Sequence, residues 1–232
     1  MVDRSNGYEG VATEFIRVRS ATIGVTRVRD WATALPRGSA VVDLGCGPGI
    51  PLTEVMVAEG LQVYAVDAAP SLVRAFRRNL PGTPVVCEAV QDTGFFGRDF
   101  DGVLAWGLMF LLSAEDQRRL IQRIAGVLVP GGRLLFTSSA ETASGNDALT
   151  GLAARSLGAR EYRQLLAAVG ISVVEEYEDE RQSLLRRGEG TGRYRQGLTG
   201  KHRDQWQHAQ VLTQCDRDRK GLTLLFSLIR KR

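Results

Sequence analysis

The chain has 232 residues, of which 44% are hydrophobic and 24% are charged, a composition typical of a globular domain. No window approaches the roughly 18 consecutive apolar residues of a membrane helix, and residues 1–15 lack the apolar core of a signal peptide, so we expect a cytoplasmic protein. The net charge of +4 is uneven: residues 1–180 carry 17 Lys and Arg against 22 Asp and Glu, whereas residues 181–232 carry 13 against 4.

Strands and helices alternate through the first half of the chain. Residues 8–35 are predicted to form two helices, because apolar residues recur at spacings of three and four between Val25 and Leu35. The next helix begins at Pro51 and ends at Gly60, the preferred order of these two residues. The other elements predicted here are strand 39–44, strand 61–66, helix 70–80, strand 83–89 and strand 100–106.

The alternation continues in the second half. Ser113, with Asp116 three residues later, is typical of a helix N-cap, and "PGG" at 130–132 is predicted to end that helix. Repeated strand–helix units with nearly continuous apolar strands predict a doubly wound, Rossmann-like α/β fold, with a mainly parallel sheet and helices on both faces. The later elements are strand 133–139, helix 159–170, strand 171–177 and a last strand over 222–229. Between the last two strands, the only predicted element is a helix over 202–214.

The stretch "VVDLGCGPG", Val41 to Gly49, places a glycine-rich turn directly after the first predicted strand. In a doubly wound sheet, ligands bind at the carboxyl ends of the strands, and this first turn is the usual place. Glycine allows a tight turn and the close approach of a ligand because it has no Cβ. The spacing is G-x-G-x-G rather than the G-x-G-x-x-G of a pyrophosphate site, so a dinucleotide ligand is disfavoured.

Three carboxylates accompany this turn. Asp43 precedes the first glycine by two residues, where its charge would repel a pyrophosphate and attract a ligand ammonium. Asp67 ends the second predicted strand, where it can accept both hydroxyls of a ribose. Glu88 ends the third, where it and the backbone of Ala89 and Val90 could bind an adenine. An adenosine joined to an amino-acid portion is S-adenosylmethionine.

Five motifs, "VVDLGCGPG", "VYAVDAAPSLV", "CEAV", "FDGVLAWG" and "LVPGGRLLF", resemble in order and spacing those of the class I S-adenosylmethionine-dependent methyltransferases, over roughly residues 39–178. The resemblance implies a seven-stranded sheet with an antiparallel last strand, and S-adenosylhomocysteine as the product. An aspartate is usual in the family where Glu88 stands. The implied cofactor site comprises Asp43, Gly45, Cys46 as a filler inside the turn, Gly47, Gly49, Asp67, Ala68, Leu72, Glu88, Ala89, Val90 and Trp106.

The resemblance also suggests how the chain is divided. Residues 1–37 are expected to form a helical lid, 38–180 the cofactor-binding core, and 181–232 a basic segment that adds the last strand. Tyr8, Phe15 and Arg19 are the lid residues expected near the cofactor. Arg19 could bind the methionine carboxylate through two parallel hydrogen bonds, although a solvated arginine is the competing explanation.

The family's reaction is an in-line displacement, which needs alignment of two reactants more than acid–base chemistry. Trp106, Met109 and Phe110 follow the fourth predicted strand and suggest an apolar wall for a small-molecule acceptor methylated on O, N or S. This segment lacks the Asn/Asp-Pro-Pro-Tyr/Phe signature of DNA and many amide N-methyltransferases. Asn146 and Asp147, in a predicted polar loop over 144–151, are candidate catalytic residues, with turn formation as the competing explanation.

A second hypothesis is an RNA methyltransferase or a nucleic-acid-binding module that uses the basic segment 181–232 for phosphate contacts. The two histidines, His202 and His208, lie in this segment and are expected to be solvated. No metal site and no disulfide are expected, because Cys46, Cys87 and Cys215 are far apart and odd in number. The expected assembly is a monomer or a homodimer.

Overall fold

The computed structural model describes residues 3–177 and 224–231. Nine strands and six α-helices lie in these residues. The helices are α1 Ala12–Val18, α2 Val25–Thr33, α3 Leu52–Ala58, α4 Pro70–Asn79, α5 Ala114–Val127 and α6 Ala159–Ala168. The strands are β1 Ala40–Leu44, β2 Gln62–Asp67, β3 Val85–Cys87, β4 Phe100–Ala105, β5 Leu128–Ser139, β6 Thr142–Asn146, β7 Ala153–Leu157, β8 Ile171–Tyr177 and β9 Leu224–Lys231.

Seven of the strands form one sheet in the order β3-β2-β1-β4-β5-β9-β8. The strands β1 to β5 pair in parallel, and β9 runs antiparallel to both of its neighbours. The predicted Rossmann-like sheet with an antiparallel last strand is therefore confirmed. Because the order reverses between β1 and β4, a crevice opens at the carboxyl ends of these two strands.

Helices cover both faces of the sheet because its central strands present apolar side chains to both sides. Val42 and Leu44 in β1 pack toward α5 and α6, where Ile121 and Leu166 lie in the same core cluster. Val41, the alternate residue, packs with α2 and α3 on the opposite face. Every residue of β1 is buried, as expected for a parallel strand covered on both sides.

Two stretches differ from the sequence prediction. The strand β5 begins at Leu128 rather than at 133, and its pairing with β4 shifts register between Phe100 and Gly102, so "PGG" at 130–132 lies within an irregular strand. The predicted loop 144–151 instead contributes its first residues to a ribbon of β6 and β7, with Thr142 opposite Leu157. Residues of β6 alternate between exposed and half-buried, and its sequence lacks the apolar run that marks a strand.

Several predictions fall on residues that the structure does not describe. The helix over 202–214, His202, His208 and Cys215 lie outside the described residues. The predicted division into a lid, a core and a basic segment stays a prediction. Within the described ranges, none of the helices has the length and apolar character needed to cross a bilayer.

Candidate functional site

A cavity of about 540 Å³ lies at the carboxyl ends of β1, β2 and β4, a volume in the range of small-molecule sites. Its wall has three parts. The N-terminal segment supplies residues 3–8, Phe15, Val18, Arg19, Ser20 and Ile23; the strand ends supply Gly45, Gly47, Asp67, Ala68, Leu72, Val90 and Gln91. The third part is Trp106, Gly107, Leu108, Phe110, Leu111, Leu112, Ser113, Asp116, Leu149 and Leu152.

The glycine turn forms one end of this cavity. Gly45, Gly47 and Gly49 have φ values of 73°, 58° and 81°, which L side chains adopt only with strain. A Cβ on Gly49 would stand 2.7 Å from a ring carbon of Phe76, so this glycine also allows α4 to pack closely against the turn. Cys46 is buried between these glycines and does not line the cavity, as expected for a filler.

Asp67, at the end of β2, holds the turn in place. Its Oδ2 accepts a hydrogen bond from the Gly47 N–H at 2.8 Å, and its Oδ1 accepts one from the Ala69 N–H at 2.9 Å. The side chain is buried but lines the cavity, and burial raises the pKa of this carboxyl. A carboxylate can accept about four hydrogen bonds, so positions remain for a ligand.

Asp43 lies beneath the turn rather than on the cavity wall. Thr53 Oγ1 donates a hydrogen bond to its Oδ2 at 2.6 Å, and the residue is buried. Burial raises the pKa of Asp43 to about 6, opposed by the Thr53 hydrogen bond and by the charge of Arg19. Its position suggests that it acts on a ligand through its field and through Arg19, because other residues separate it from the cavity.

Arg19 is the cation that faces these carboxylates. Its Nε donates to the Ile50 carbonyl at 2.8 Å, and its guanidinium carbon lies 5.2 Å from the centre of the Phe15 ring. Burial lowers its pKa, while Asp43 and Asp67 oppose this effect. Arg19 and Phe15 both line the cavity.

Of the three residues after β3 that were predicted to bind the cofactor, only Val90 lines the cavity. Val90 lines the cavity together with Ala68 and Leu72, whereas Glu88 is exposed and Ala89 is buried away from it. The Glu88 N–H completes the pairing with β2 by donating to the Asp67 carbonyl, which leaves the Glu88 side chain on the surface. Gln91, which the sequence analysis did not single out, lines the cavity one residue after the matching motif.

The third part of the wall is largely apolar. Trp106 and Phe110 belong to it, whereas Met109 is buried in the core with residues of α5. The reason is the tight 3₁₀ turn over Met109–Leu111, in which successive side chains point about 120° apart, so Met109 faces the core while Phe110 and Leu111 face the cavity. Leu149 and Leu152, at the turn between β6 and β7, complete this wall and carried no sequence signal because the ribbon was not predicted.

Tyr8 joins the N-terminal segment to that ribbon. Its hydroxyl donates to Asp147 Oδ2 at 3.3 Å, and burial together with the Asp147 charge raises the pKa of Tyr8 well above its usual value. Asp147 Oδ1 accepts three further hydrogen bonds, from Leu149 N at 3.1 Å, from Thr150 N at 2.8 Å and from Thr150 Oγ1 at 3.0 Å. Asp147 is therefore a turn-forming residue that reaches the cavity through Tyr8.

Asn146 is exposed in β6 and does not line the cavity. Of the two candidate catalytic residues, the structure thus links only Asp147 to the site. Among the described residues, no three His, Cys, Asp or Glu side chains come close enough together to hold a metal ion.

Comparison with known proteins relates this site to a family. Residues 41–132 match the sequence model of a methyltransferase domain. A ubiquinone biosynthesis O-methyltransferase of Xanthomonas axonopodis pv. citri is 34% identical over 108 residues, 44% of this chain and 44% of that protein. An uncharacterized methyltransferase of Mycobacterium bovis is 37% identical over 109 residues, 45% of this chain and 41% of that protein. The chain thus matches less than half the length of these relatives.

The fold extends the likeness over nearly the whole chain. The structure of 1,6-didemethyltoxoflavin-N1-methyltransferase from Burkholderia thailandensis, with bound 1,6-didemethyltoxoflavin and S-adenosylhomocysteine, has a TM-score of 0.65 at 19% identity. The alignment covers 98% of this chain and 86% of that one. Residues 41–132 thus match a methyltransferase domain, and the chain has the fold of solved S-adenosylmethionine-dependent methyltransferase structures.

Proposed function

We propose that this protein transfers a methyl group from S-adenosylmethionine to a small-molecule acceptor by in-line displacement. The observation that carries the proposal is one cavity whose wall has two chemically different parts. The glycine turn and Asp67 form one part, and the apolar residues that include Trp106 and Phe110 form the other. The Burkholderia thailandensis enzyme supports this reading, since its structure contains both S-adenosylhomocysteine and an acceptor.

In this proposal, the cofactor lies along the ends of β1, β2 and β3. The methionine portion rests on the glycine turn, where Arg19 pairs with its carboxylate and Asp43 supplies negative charge from beneath. Arginine has five N–H donors, and the bond to Ile50 uses one of them. The ribose hydroxyls bind to Asp67, and the adenine lies against Leu72 and the backbone near Ala68, Val90 and Gln91.

The chemistry requires little from acid–base groups. Positive charge on sulfur disappears as the methyl group moves, so holding the two reactants in line supplies most of the acceleration. The apolar wall excludes water from the reacting atoms. Tyr8 keeps its proton and donates a hydrogen bond to Asp147, so its oxygen offers only lone pairs to the cavity. We therefore favour an acceptor that donates a hydrogen bond there, through a hydroxyl or an N–H group.

The test is methyl transfer from S-adenosylmethionine labelled on its methyl group to a panel of phenols, amines, thiols, halides and RNA. We expect label on a small molecule. Asp67→Ala should lower kcat/KM by about 100-fold, as expected for the loss of two hydrogen bonds to a charged group. Asp30→Ala, on the exposed side of α2, is the matched control and should leave it unchanged. Label on RNA alone would contradict the proposal.

The RNA hypothesis relies on the basic segment 181–232, of which the structure describes only the strand β9. No contact within the described residues favours a nucleic acid. Carboxylates at the cavity also oppose it: Asp67 and Asp116 line the wall, and their charge would repel phosphates.

A further inference from the structure

The loop that follows β3, residues 88–97, forms the cavity wall at the end where the adenine is placed. Arg123 in α5 contacts this loop but does not itself line the cavity. We propose that Arg123 is a positioning residue for recognition of the cofactor's base: it fixes the backbone of Val90 and Gln91 so that their N–H groups can bind adenine. This inference rests on the proposed function and concerns the base, not the methyl transfer.

The guanidinium of Arg123 binds three backbone carbonyls of the loop. Arg123 Nη1 donates to the Val90 carbonyl at 2.9 Å and to the Gln91 carbonyl at 2.6 Å. Its Nη2 donates to the Thr93 carbonyl, and its guanidinium carbon lies 4.9 Å from the centre of the Phe95 ring. Hydrogen bonds from a charged donor are about twice as strong as neutral ones, so this side chain defines the loop's conformation.

The backbone after these carbonyls is strained. Phe95 and Phe96 have φ values of 49° and 53°, a region that bulky residues rarely occupy. Such conformations persist only where the surroundings enforce them. Thr93 Oγ1 accepts the Phe95 N–H at 3.2 Å, and Phe95 is buried beneath the Arg123 guanidinium. We therefore infer that the contacts of Arg123 help to stabilise the strained backbone at Phe95 and Phe96.

The hydrogen bonds from Arg123 to the loop affect which backbone groups face the cavity. Because Arg123 binds the carbonyls of Val90 and Gln91 and does not line the cavity, these carbonyls are directed toward α5. The N–H groups of the same two residues donate to no described residue, and both residues line the cavity. Such N–H groups suit the unprotonated ring nitrogen N1 of adenine. Hypoxanthine carries a hydrogen on N1 and would bind more weakly.

The test compares binding of S-adenosylhomocysteine and its deaminated analogue S-inosylhomocysteine by calorimetry. In Arg123→Met we expect the Kd of S-adenosylhomocysteine to rise about tenfold, equivalent to about 1.4 kcal/mol. The Kd of S-inosylhomocysteine should change little, so the preference for adenine falls by a similar factor. Arg119→Met is the matched control, since Arg119 pairs with the exposed Glu115 on the same helix and should keep the wild-type ratio.

An unchanged ratio of the two Kd values in Arg123→Met would overturn the inference. This includes an equal loss of affinity for both ligands, which would indicate a purely structural role. If Arg123→Met does not fold, Arg123→Lys keeps the charge without the planar fork, and the same loss of discrimination is expected. If the wild-type protein binds neither ligand, the proposed function fails, and this inference fails with it.

Discussion

At the scale of single residues, buried carboxylates determine both the shape and the charge of the site. Asp67 accepts one backbone N–H from the glycine turn and one from Ala69 at the start of α4, and Asp43 is held by Thr53. The positive charge of Arg19 lowers the pKa of both carboxyl groups and so opposes the effect of their burial. This arrangement favours a ligand that has an ammonium and hydroxyls over one that has phosphates.

The raised pKa of Asp43 predicts a pH dependence of stability. Its folded-state pKa of about 6 lies above its unfolded value of 3.8. The folded state therefore binds the proton more tightly, and this contribution to stability is fully present below the unfolded pKa and is lost as pH rises through about 6. Relative to Asp43→Asn, which mimics the neutral form, the wild-type protein should lose on the order of 1–3 kcal/mol between pH 4 and pH 7.

Urea unfolding of both proteins across this pH range checks the prediction. Asp30→Asn serves as the control, because Asp30 is exposed and should show no such trend against the wild type. A constant difference between wild type and Asp43→Asn at every pH would show that Asp43 titrates normally.

The Tyr8–Asp147 hydrogen bond should couple the two residues energetically. In a double-mutant cycle of Tyr8→Phe and Asp147→Asn, we expect a coupling free energy of about 1 kcal/mol in urea unfolding. The pair joins the N-terminal segment to the β6–β7 turn, so the coupling reports on closure of the cavity. A cycle whose two single effects simply add would mean that the 3.3 Å contact contributes nothing.

At the scale of elements, the N-terminal segment also completes a core helix. Ala69, at the N-cap of α4, has no side chain that can cap it. Glu9 supplies the missing acceptors from 62 positions earlier: its Oε2 accepts the Ser71 N–H at 2.8 Å and its Oε1 accepts Ser71 Oγ at 2.7 Å. The helix that follows Asp67 thus depends on the segment that covers the cavity.

Glu9→Ala should therefore lower the free energy of unfolding by about 1 kcal/mol, the usual cost of losing a cap. Hydrogen exchange of the Ser71 amide should become faster in the same variant. Glu14→Ala is the matched control: Glu14 pairs with Arg17 on the exposed surface of α1, where an ion pair contributes little. Slow Ser71 exchange in both variants would show that Glu9 is not the cap.

At the scale of the whole molecule, local patterns predicted the parts of the site that lie on strand ends. The glycine turn and Asp67 follow from sequence because each directly ends a buried apolar strand. Ser113 was identifiable as an N-cap, and its Oγ accepts the Asp116 N–H at 3.1 Å. These features depend on residues within a few positions of one another.

Features that depend on distant parts of the chain were not predictable in this way. The ribbon of β6 and β7 exists because two polar segments pair with each other. The direction of the Met109 side chain depends on a tight turn, and the capping of α4 depends on Glu9, far away in sequence. Arg123 resembles any surface arginine of an amphipathic helix until the loop after β3 is folded against it.

The central claim is that the cavity binds the methyl donor through Asp67 and rejects phosphate-bearing nucleotides. Calorimetric titration of the wild-type protein and Asp67→Asn with S-adenosylhomocysteine and with NADH tests it most directly. We expect saturable binding of S-adenosylhomocysteine that weakens about tenfold or more in the variant, and no measurable binding of NADH. Tight binding of NADH, with S-adenosylhomocysteine left unbound, would contradict it.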